Sequence, residues 1–312
     1  MSGLTPEQIA IRLTRISASD VAPILGEHPS RGPWSVWDEK NGGPGIVQTP
    51  LMSLGLAIEP LVRAYGATLV GCPIEDSPGT VIRDDWASCT PDGVASDDGV
   101  EIKLSVWGRE EWGSEGSDEV PDHYVTQCNW SMWVTGRRRW HLLRLDMGGW
   151  GAAHCQWLMA QGRDPLPCIA EWLDSGCGLA RIHHYVLEYH APLARELVSR
   201  CRAWWESYVM GMEMPAPTDE DVCRKALQRL LAHRPQPAPG TPPRVAALIA
   251  VRDLDGAAKA ATCARDTARN SLVAAIDGHE SMIVPGVGKV THTQNKNGVY
   301  SLRFSWGRDG GS

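Results

Sequence analysis

Apolar residues recur every three or four positions through Leu51, Leu54, Ile58, Leu61, Val62, Tyr65 and Leu69. That is the spacing of one buried helical face, and it predicts a helix from Pro50 to about Leu69, with Glu59 off the buried row. The period changes to two in Gly99-Val100-Glu101-Ile102-Lys103-Leu104. A strand there turns Val100, Ile102 and Leu104 to one face and Glu101 and Lys103 to the other. Similar alternation predicts short strands near 79–83, 86–90 and 93–96, a strand over Arg139–Asp146 and another over Ala180–Tyr189. Helices are expected from Pro6, with Thr5 as its N-cap, from Ser19-Asp20 with Val21, Ile24 and Leu25 inward, and over about 121–135, 165–175 and 191–211.

Proline then divides the chain. Pro215 and Pro217 end the last of these helices, and His233-Arg-Pro-Gln-Pro-Ala-Pro-Gly-Thr-Pro-Pro243 reads as an extended, semi-rigid linker. The expected organisation is a main domain over 1–214, a proline-rich linker over 215–244 and a C-terminal extension over 245–312. In the extension, Val245–Ile276 is alanine-rich and helical, and Met282–Trp306 forms a hairpin around Asn295-Lys296-Asn297-Gly298. Gly286-Val-Gly-Lys289 superficially resembles a phosphate loop, but Val290 stands where a hydroxyl residue is required and Ile283 where the first glycine is required, which excludes an NTPase.

Bulk properties exclude less. At 312 residues the chain is long enough for one large core, or for one domain with an appendage. A formal net charge of −7 rules out a general polycation that coats nucleic acid, yet leaves room for a local basic groove. The nine cysteines contain no C-x-x-C spacing, so neither a zinc site nor a disulfide framework is expected. Most of the fourteen tryptophans should be packing residues. With no signal-peptide pattern and no run of ~20 apolar residues, the expectation is a cytoplasmic protein without membrane contact.

The chemistry lies in Pro91-Asp92, eight residues, and then Glu101-Ile102-Lys103. Asp92 sits in the turn-forming Thr90-Pro91-Asp92-Gly93, so a hairpin returns its carboxylate to the side of Glu101. Two crowded carboxylates repel unless a cation lies between them, and the adjacent amine suits a phosphodiester. Taken singly, a Glu-X-Lys strand is more often a solvated sheet edge. Further segments change that balance. Gly55-Leu-Ala-Ile-Glu59 adds a third carboxylate, and Tyr124-Val-Thr-Gln127 puts a phenol and an amide one helical turn apart. Arg12-Leu-Thr-Arg15-Ile-Ser17-Ala-Ser19-Asp20 leads into a helix where arginine, hydroxyl and backbone N–H groups would hold a phosphate. The adjacent His183 and His184 point to opposite faces of a strand and make a poor chelate.

In this order, followed by Met132-Trp133-Val134-Thr135-Gly136, the segments resemble the YqaJ-like phage recombinase family, the lambda exonuclease family of the PD-(D/E)XK nuclease superfamily. The resemblance spans about residues 12 to 145. It implies an α/β fold, a restriction-endonuclease-like core with a mixed central sheet flanked by helices. It further implies that Asp92, Glu101 and the Ile102 carbonyl hold Mg²⁺, with Mn²⁺ substituting, and that Glu59 completes or supports the metal position. Lys103 would align and activate the attacking water, and Gln127 would orient Lys103 or that water. Ser19 with Arg12, or Arg15 as its rival, would hold the terminal 5′ phosphate of a DNA strand, with Tyr124 also on the DNA side. Leu104-Ser105 departs from the small residue and proline that often follow the lysine in the family.

The implied activity is a Mg²⁺-dependent 5′→3′ exonuclease on linear double-stranded DNA ends that leaves 3′ single-stranded tails for an annealing protein. Toroidal trimers occur in the family. Two rivals remain: an endonuclease of the same superfold, and a catalytically silent DNA-end-binding scaffold.

Overall fold

Strand alternation and helical periodicity meet around one five-stranded sheet. The computed structural model describes residues 6–43, 48–106, 112–230, 242–276, 281–284, 288–294 and 300–306. The chain divides into two compact units, Met1–Ala232 and His233–Ser312. The first unit opens with α1 (Pro6–Leu13), β1 (Ile16–Ser17), α2 (Ala18–Leu25), α3 (Pro33–Lys40) and the long α4 (Pro50–Val70). Five strands follow: β2 (Glu75–Asp76), β3 (Val81–Arg83), β4 (Ala87–Cys89), β5 (Gly93–Ala95) and β6 (Asp98–Ser105). Then come α5 (Asp122–Thr135), β7 (Arg139–Met147), α6 (Gly149–Ala160), α7 (Leu166–Ser175) and β8 (Ala180–Glu188). Helix α8 (Ala191–Trp204) runs into a π-helical turn, Trp205–Met210, and α9 (Asp221–Leu230) closes the unit.

The large sheet has the order β2-β5-β6-β7-β8. β6 and β7 are parallel, joined through α5, while the other neighbours are antiparallel. The sheet is therefore mixed, as expected. One face carries Val100, Ile102, Leu143, Leu145 and Met147 against α4, α6 and α7. The opposite face packs Trp140, Leu142, Tyr185 and Leu187 against Cys128 and Met132 of α5. Gly99 belongs to this second face, where a Cβ would lie 2.2 Å from the Trp140 ring, so only glycine admits the indole. A smaller sheet, β1-β4-β3, packs with α2, α3, α8 and α9 around Trp34, Trp37, Trp86 and Trp130. Trp204 and Trp205 are buried in the same cluster, a packing role.

Three helices differ from the periodicity reading. α3 is a single short stretch whose two tryptophans do not form a long stripe, and α6 begins Gly-Trp-Gly, which masks its helical period. The third is α9, inside the stretch expected to be linker. Its Cys223 and Ala226 are buried in the first unit's core, and Arg229 pairs with Asp38 of α3. The greater part of the expected extended linker, 231–241, lies outside the described residues, as do Thr5 and the turn Asn295–Gly298.

The second unit contains α10 (Pro242–Ile276) and the antiparallel strands β9 (Ser281–Val284), β10 (Gly288–Gln294) and β11 (Tyr300–Trp306). No helix among the described residues is long and apolar enough to cross a membrane.

The segment before α9 also completes α3. Gly32 offers no side-chain cap to that helix. Instead the Glu220 carboxylate accepts hydrogen bonds from the N–H groups of Gly32 at 2.8 Å, Trp34 at 3.0 Å and Ser35 at 3.3 Å. Free N–H groups at a helix start need such a partner, and a carboxylate also suits the positive end of the helix dipole. Glu220→Ala is expected to lower unfolding stability by about 1–3 kcal/mol, read as a lower denaturant midpoint at unchanged slope.

Candidate active site

The strand alternation places Glu101 and Lys103 of β6 on the α5 side of the sheet, next to the hairpin made with β5. The β5–β6 register pairs Gly93 with Val100, and one further step sets Asp92 opposite Glu101. Two hydrogen bonds lock that step: Asp92 N–H donates to the Val100 carbonyl at 3.0 Å, and Ile102 N–H donates to Asp92 Oδ2 at 2.7 Å. Arg63 of α4 holds the same turn by donating to the Asp92 carbonyl at 2.8 Å.

Glu101 is buried, and its Oε1 accepts from Lys103 Nζ and, at 2.6 Å, from Gln127 Nε2. Gln127 thus orients the carboxylate directly, where the sequence reading had it orient Lys103 or water. Tyr124, one turn earlier on α5, presents its ring 5.5 Å from Lys103 Nζ. Glu59 projects from α4 and lies 3.9 Å from Arg63 Nη1. Burial pushes its carboxyl up, Arg63 opposes the shift and Glu101 adds to it.

The electrostatics follow from crowding. Burial, then the charge of Glu101, holds the Asp92 carboxyl well above the usual carboxylate range, against the pull of Lys103 and the Ile102 N–H. For Lys103 burial acts against the charged form, but Glu101 and Asp92 outweigh it and raise the ammonium above its ordinary value.

The N-terminal segment builds a second charged cluster. Arg12 donates from Nε to Glu39 at 2.6 Å, from Nη1 to Ser19 Oγ at 3.1 Å and from Nη2 to Asp20 at 3.0 Å. Lys40 Nζ donates to Asp20 Oδ2 at 2.8 Å, and Ser17 Oγ donates to the same oxygen at 2.7 Å. Arg31 Nη2 lies 3.6 Å from Asp20 and 3.5 Å from Glu39, and Nη1 donates to the Ser19 carbonyl at 3.3 Å. Among the described residues, three cations thus face two carboxylates. Asp20 is completely buried. Burial alone would raise its carboxyl, but Lys40, Arg12 and Arg31 drive it far below the usual range. Arg15, the rival anchor, donates to the neighbouring Thr14 hydroxyl at 2.9 Å, and its Nε is buried without a partner among the described residues.

Residues 8–138 match the model of the YqaJ-like viral recombinase domain. This segment is a YqaJ-like domain. The matched segment contains Arg12, Ser19, Glu59, Asp92, Glu101, Lys103, Tyr124 and Gln127. Among solved structures, an alkaline exonuclease from Laribacter hongkongensis is similar at 18% identity and a TM-score of 0.47, covering 72% of this chain and 100% of that one. A phage-related exonuclease from Haemophilus somnus is similar at 12% identity and a TM-score of 0.43, covering 64% and 96%. No curated protein matches the chain.

The structure also sets further charged residues beside these clusters. Arg31 is one: its Nε and Nη2 are buried without a hydrogen-bond partner. Glu39 and Lys40 look like the ordinary charged end of a helix, and only the fold brings them to Asp20. Arg144 of β7 pairs in register with Lys103. It is buried beneath Trp112, with its guanidinium carbon 4.6 Å from the ring centroid and its Nε and Nη1 unbonded. Of the three neighbouring arginines, Arg137 donates to the Ser96 carbonyl at 3.4 Å, Arg138 lies over Tyr189 at 5.1 Å and Arg139 pairs with Glu188 at 2.8 Å. His183 and His184 do face opposite sides: His183 lies 3.8 Å from Asp146, and His184 meets His141 at 2.9 Å.

Among the described residues, no three His, Cys, Asp or Glu side chains gather as an ion cage. The donors at hand for a hard divalent ion are Asp92 and Glu101, with Glu59 in electrostatic contact. The raised Asp92 carboxyl fits such an ion, since a cation between the pair would offset their repulsion.

Two outcomes are expected. Because the Asp92 carboxyl is raised by the fold, ionising it at neutral pH costs stability. Asp92→Asn should therefore raise the melting temperature in metal-free buffer by roughly 2–4 °C and remove any further rise on adding Mg²⁺, as read by scanning calorimetry. Asp20 has the opposite sign. Its folded value is depressed, so its contribution is complete above the ordinary value near 3.8 and is lost as pH falls below it. Asp20→Asn should cost about 3–5 kcal/mol at pH 7, with the difference from the native protein shrinking as the pH is lowered through that range.

Proposed function

We propose that the protein is a Mg²⁺-dependent 5′→3′ exonuclease that degrades one strand of linear double-stranded DNA from a phosphorylated end and leaves a 3′ single-stranded tail. The observation behind the choice of exonuclease is the N-terminal cluster, a buried network with more cationic than anionic groups and unbonded Arg31 nitrogens. A terminal phosphate carries more charge than an internal phosphodiester and would supply the missing acceptors. In this reading Ser19 and Arg31 contact the phosphate directly, and Arg12, saturated by Glu39, Asp20 and Ser19, holds the pocket's shape.

At the nuclease centre, Asp92, Glu101 and the Ile102 carbonyl would hold the divalent ion, with Glu59 supporting from α4. The bound ion supplies a polarised water and neutralises charge on the phosphoryl oxygens. Lys103, fixed by Glu101, would align and activate that water and stabilise the added negative charge at phosphorus. The proton that the water gives up is balanced by the one that the leaving 3′ oxygen takes up. Gln127 keeps Glu101 in place, so its loss would act through the carboxylate. Water adds to phosphorus and the bond to the 3′ oxygen breaks, so the released nucleotide carries a 3′ hydroxyl and the shortened strand a new 5′ phosphate. Each turn regenerates the group that the pocket binds. A single-strand annealing protein is the fitting consumer of the remaining tail.

Asp92→Ala and Lys103→Ala should each lower hydrolysis at least ~100-fold in Mg²⁺. Arg31→Met should erase on the order of tenfold or more of the preference for 5′-phosphate over 5′-hydroxyl ends. The decisive comparison sets linear duplexes with these two ends beside a closed circle and identifies the products. Rapid nicking of the circle, or indifference to the end, overturns the exonuclease assignment.

A further inference from the structure

Two histidines stand beside this centre and take no part in the catalysis described above. His28 follows the left-handed cap Gly26 at the end of α2, three residues before Arg31 of the charged cluster. His123 opens α5, immediately before Tyr124. The two rings meet edge to face with centroids 5.3 Å apart, and His123 lies 4.0 Å from the Tyr124 ring, which in turn lies 5.5 Å from Lys103 Nζ. A continuous aromatic row therefore leads from the loop of the end pocket to the catalytic lysine. Both imidazoles are half-buried and lie outside the apolar clusters. In the end-directed reading, the nucleotide between the pocket and the scissile bond would pass beside these two partly exposed rings.

The chemistry of His28 separates two uses of such a row. Its Nδ1 accepts the Ser30 N–H at 3.2 Å, which fixes the ring plane. Burial, together with the charges of His123, Arg31 and Lys103, pushes the imidazole down to about 4. A ring kept neutral at neutral and alkaline pH is a weak phosphate clamp. It is a good flat partner for a base, because stacking on an aromatic face needs no charge and tolerates every base.

We propose that His28 and His123 form the stacking wall for the base of the 5′-terminal nucleotide, once that nucleotide is unpaired from its complement. The proposal rests on the end-directed nuclease reading. It makes the two histidines substrate-positioning residues that sense whether a base is present, without contributing to the bond-breaking step.

The test uses linear duplexes with a 5′ phosphate and a one-nucleotide 5′ overhang, whose terminal nucleotide carries either a base or an abasic analogue. It is unpaired in both, so only stacking differs. The native protein should cleave the base-bearing end with a kcat/KM ~10-fold higher. His28→Ala and His123→Ala should each bring that ratio close to one, mainly through KM, and His28→Phe and His123→Phe should preserve it. No base preference in an active native protein overturns the wall without touching the nuclease reading. Retention of the preference in both alanine proteins overturns it as well, as does its loss in the phenylalanine proteins. If the native protein cleaves neither duplex, the failure belongs to the exonuclease reading.

Discussion

Everything at the candidate site depends on the parity of β6. The strand is hydrogen-bonded on both sides, antiparallel to β5 and parallel to β7, and its two faces have opposite chemistry. A slip of one residue would drive Glu101 and Lys103 into the layer occupied by Leu54, Ile58 and Leu143 and turn Ile102 toward α5. The apolar face thus holds the charged face in place. The energy that crowds two carboxylates and an ammonium together comes from burial of Val100, Ile102 and their neighbours. Gly99 and Trp140 reinforce the register, because the indole fits only against a residue without a side chain.

That parity was visible in the sequence because it is local. Six residues of alternating character state which side chains share a face, and Thr90-Pro91-Asp92-Gly93 states where the chain turns. The helical faces of α4 and α5 were legible for the same reason, and so were the catalytic candidates they present. The N-terminal cluster was legible only in part. Ser19 and Arg12 announce themselves through the start of a helix, whereas Glu39, Lys40 and Arg31 come to Asp20 through the packing of α3 on α2. No periodicity reports a partner twenty residues away. His28 and His123 were invisible for a sharper reason, since each is an ordinary polar residue at a helix end until the fold sets their rings face to edge.

The two charged clusters solve opposite electrostatic problems. At Asp92 and Glu101 like charges are concentrated, and the carboxyl that cannot be satisfied is raised. At Asp20 a single buried carboxylate is saturated by three cations and is depressed. The first arrangement is short of positive charge and the second has positive charge to spare. Such a pair suits a polyanion and a divalent ion arriving together, with the spare cation at one end and the spare anions at the other. Lys103 belongs to the first cluster, where the two carboxylates hold its ammonium above its ordinary value.

The Glu220 carboxylate that completes α3 lies 188 residues after Gly32. During synthesis the N-terminal helices leave the ribosome long before that carboxylate exists. A nascent chain therefore passes through a stage in which β6 and its hairpin can already form while the helix that carries Glu39 and Lys40 is still uncapped. Helix α3, which carries Glu39 and Lys40, thus gains its cap only after every strand of the central sheet has been synthesised.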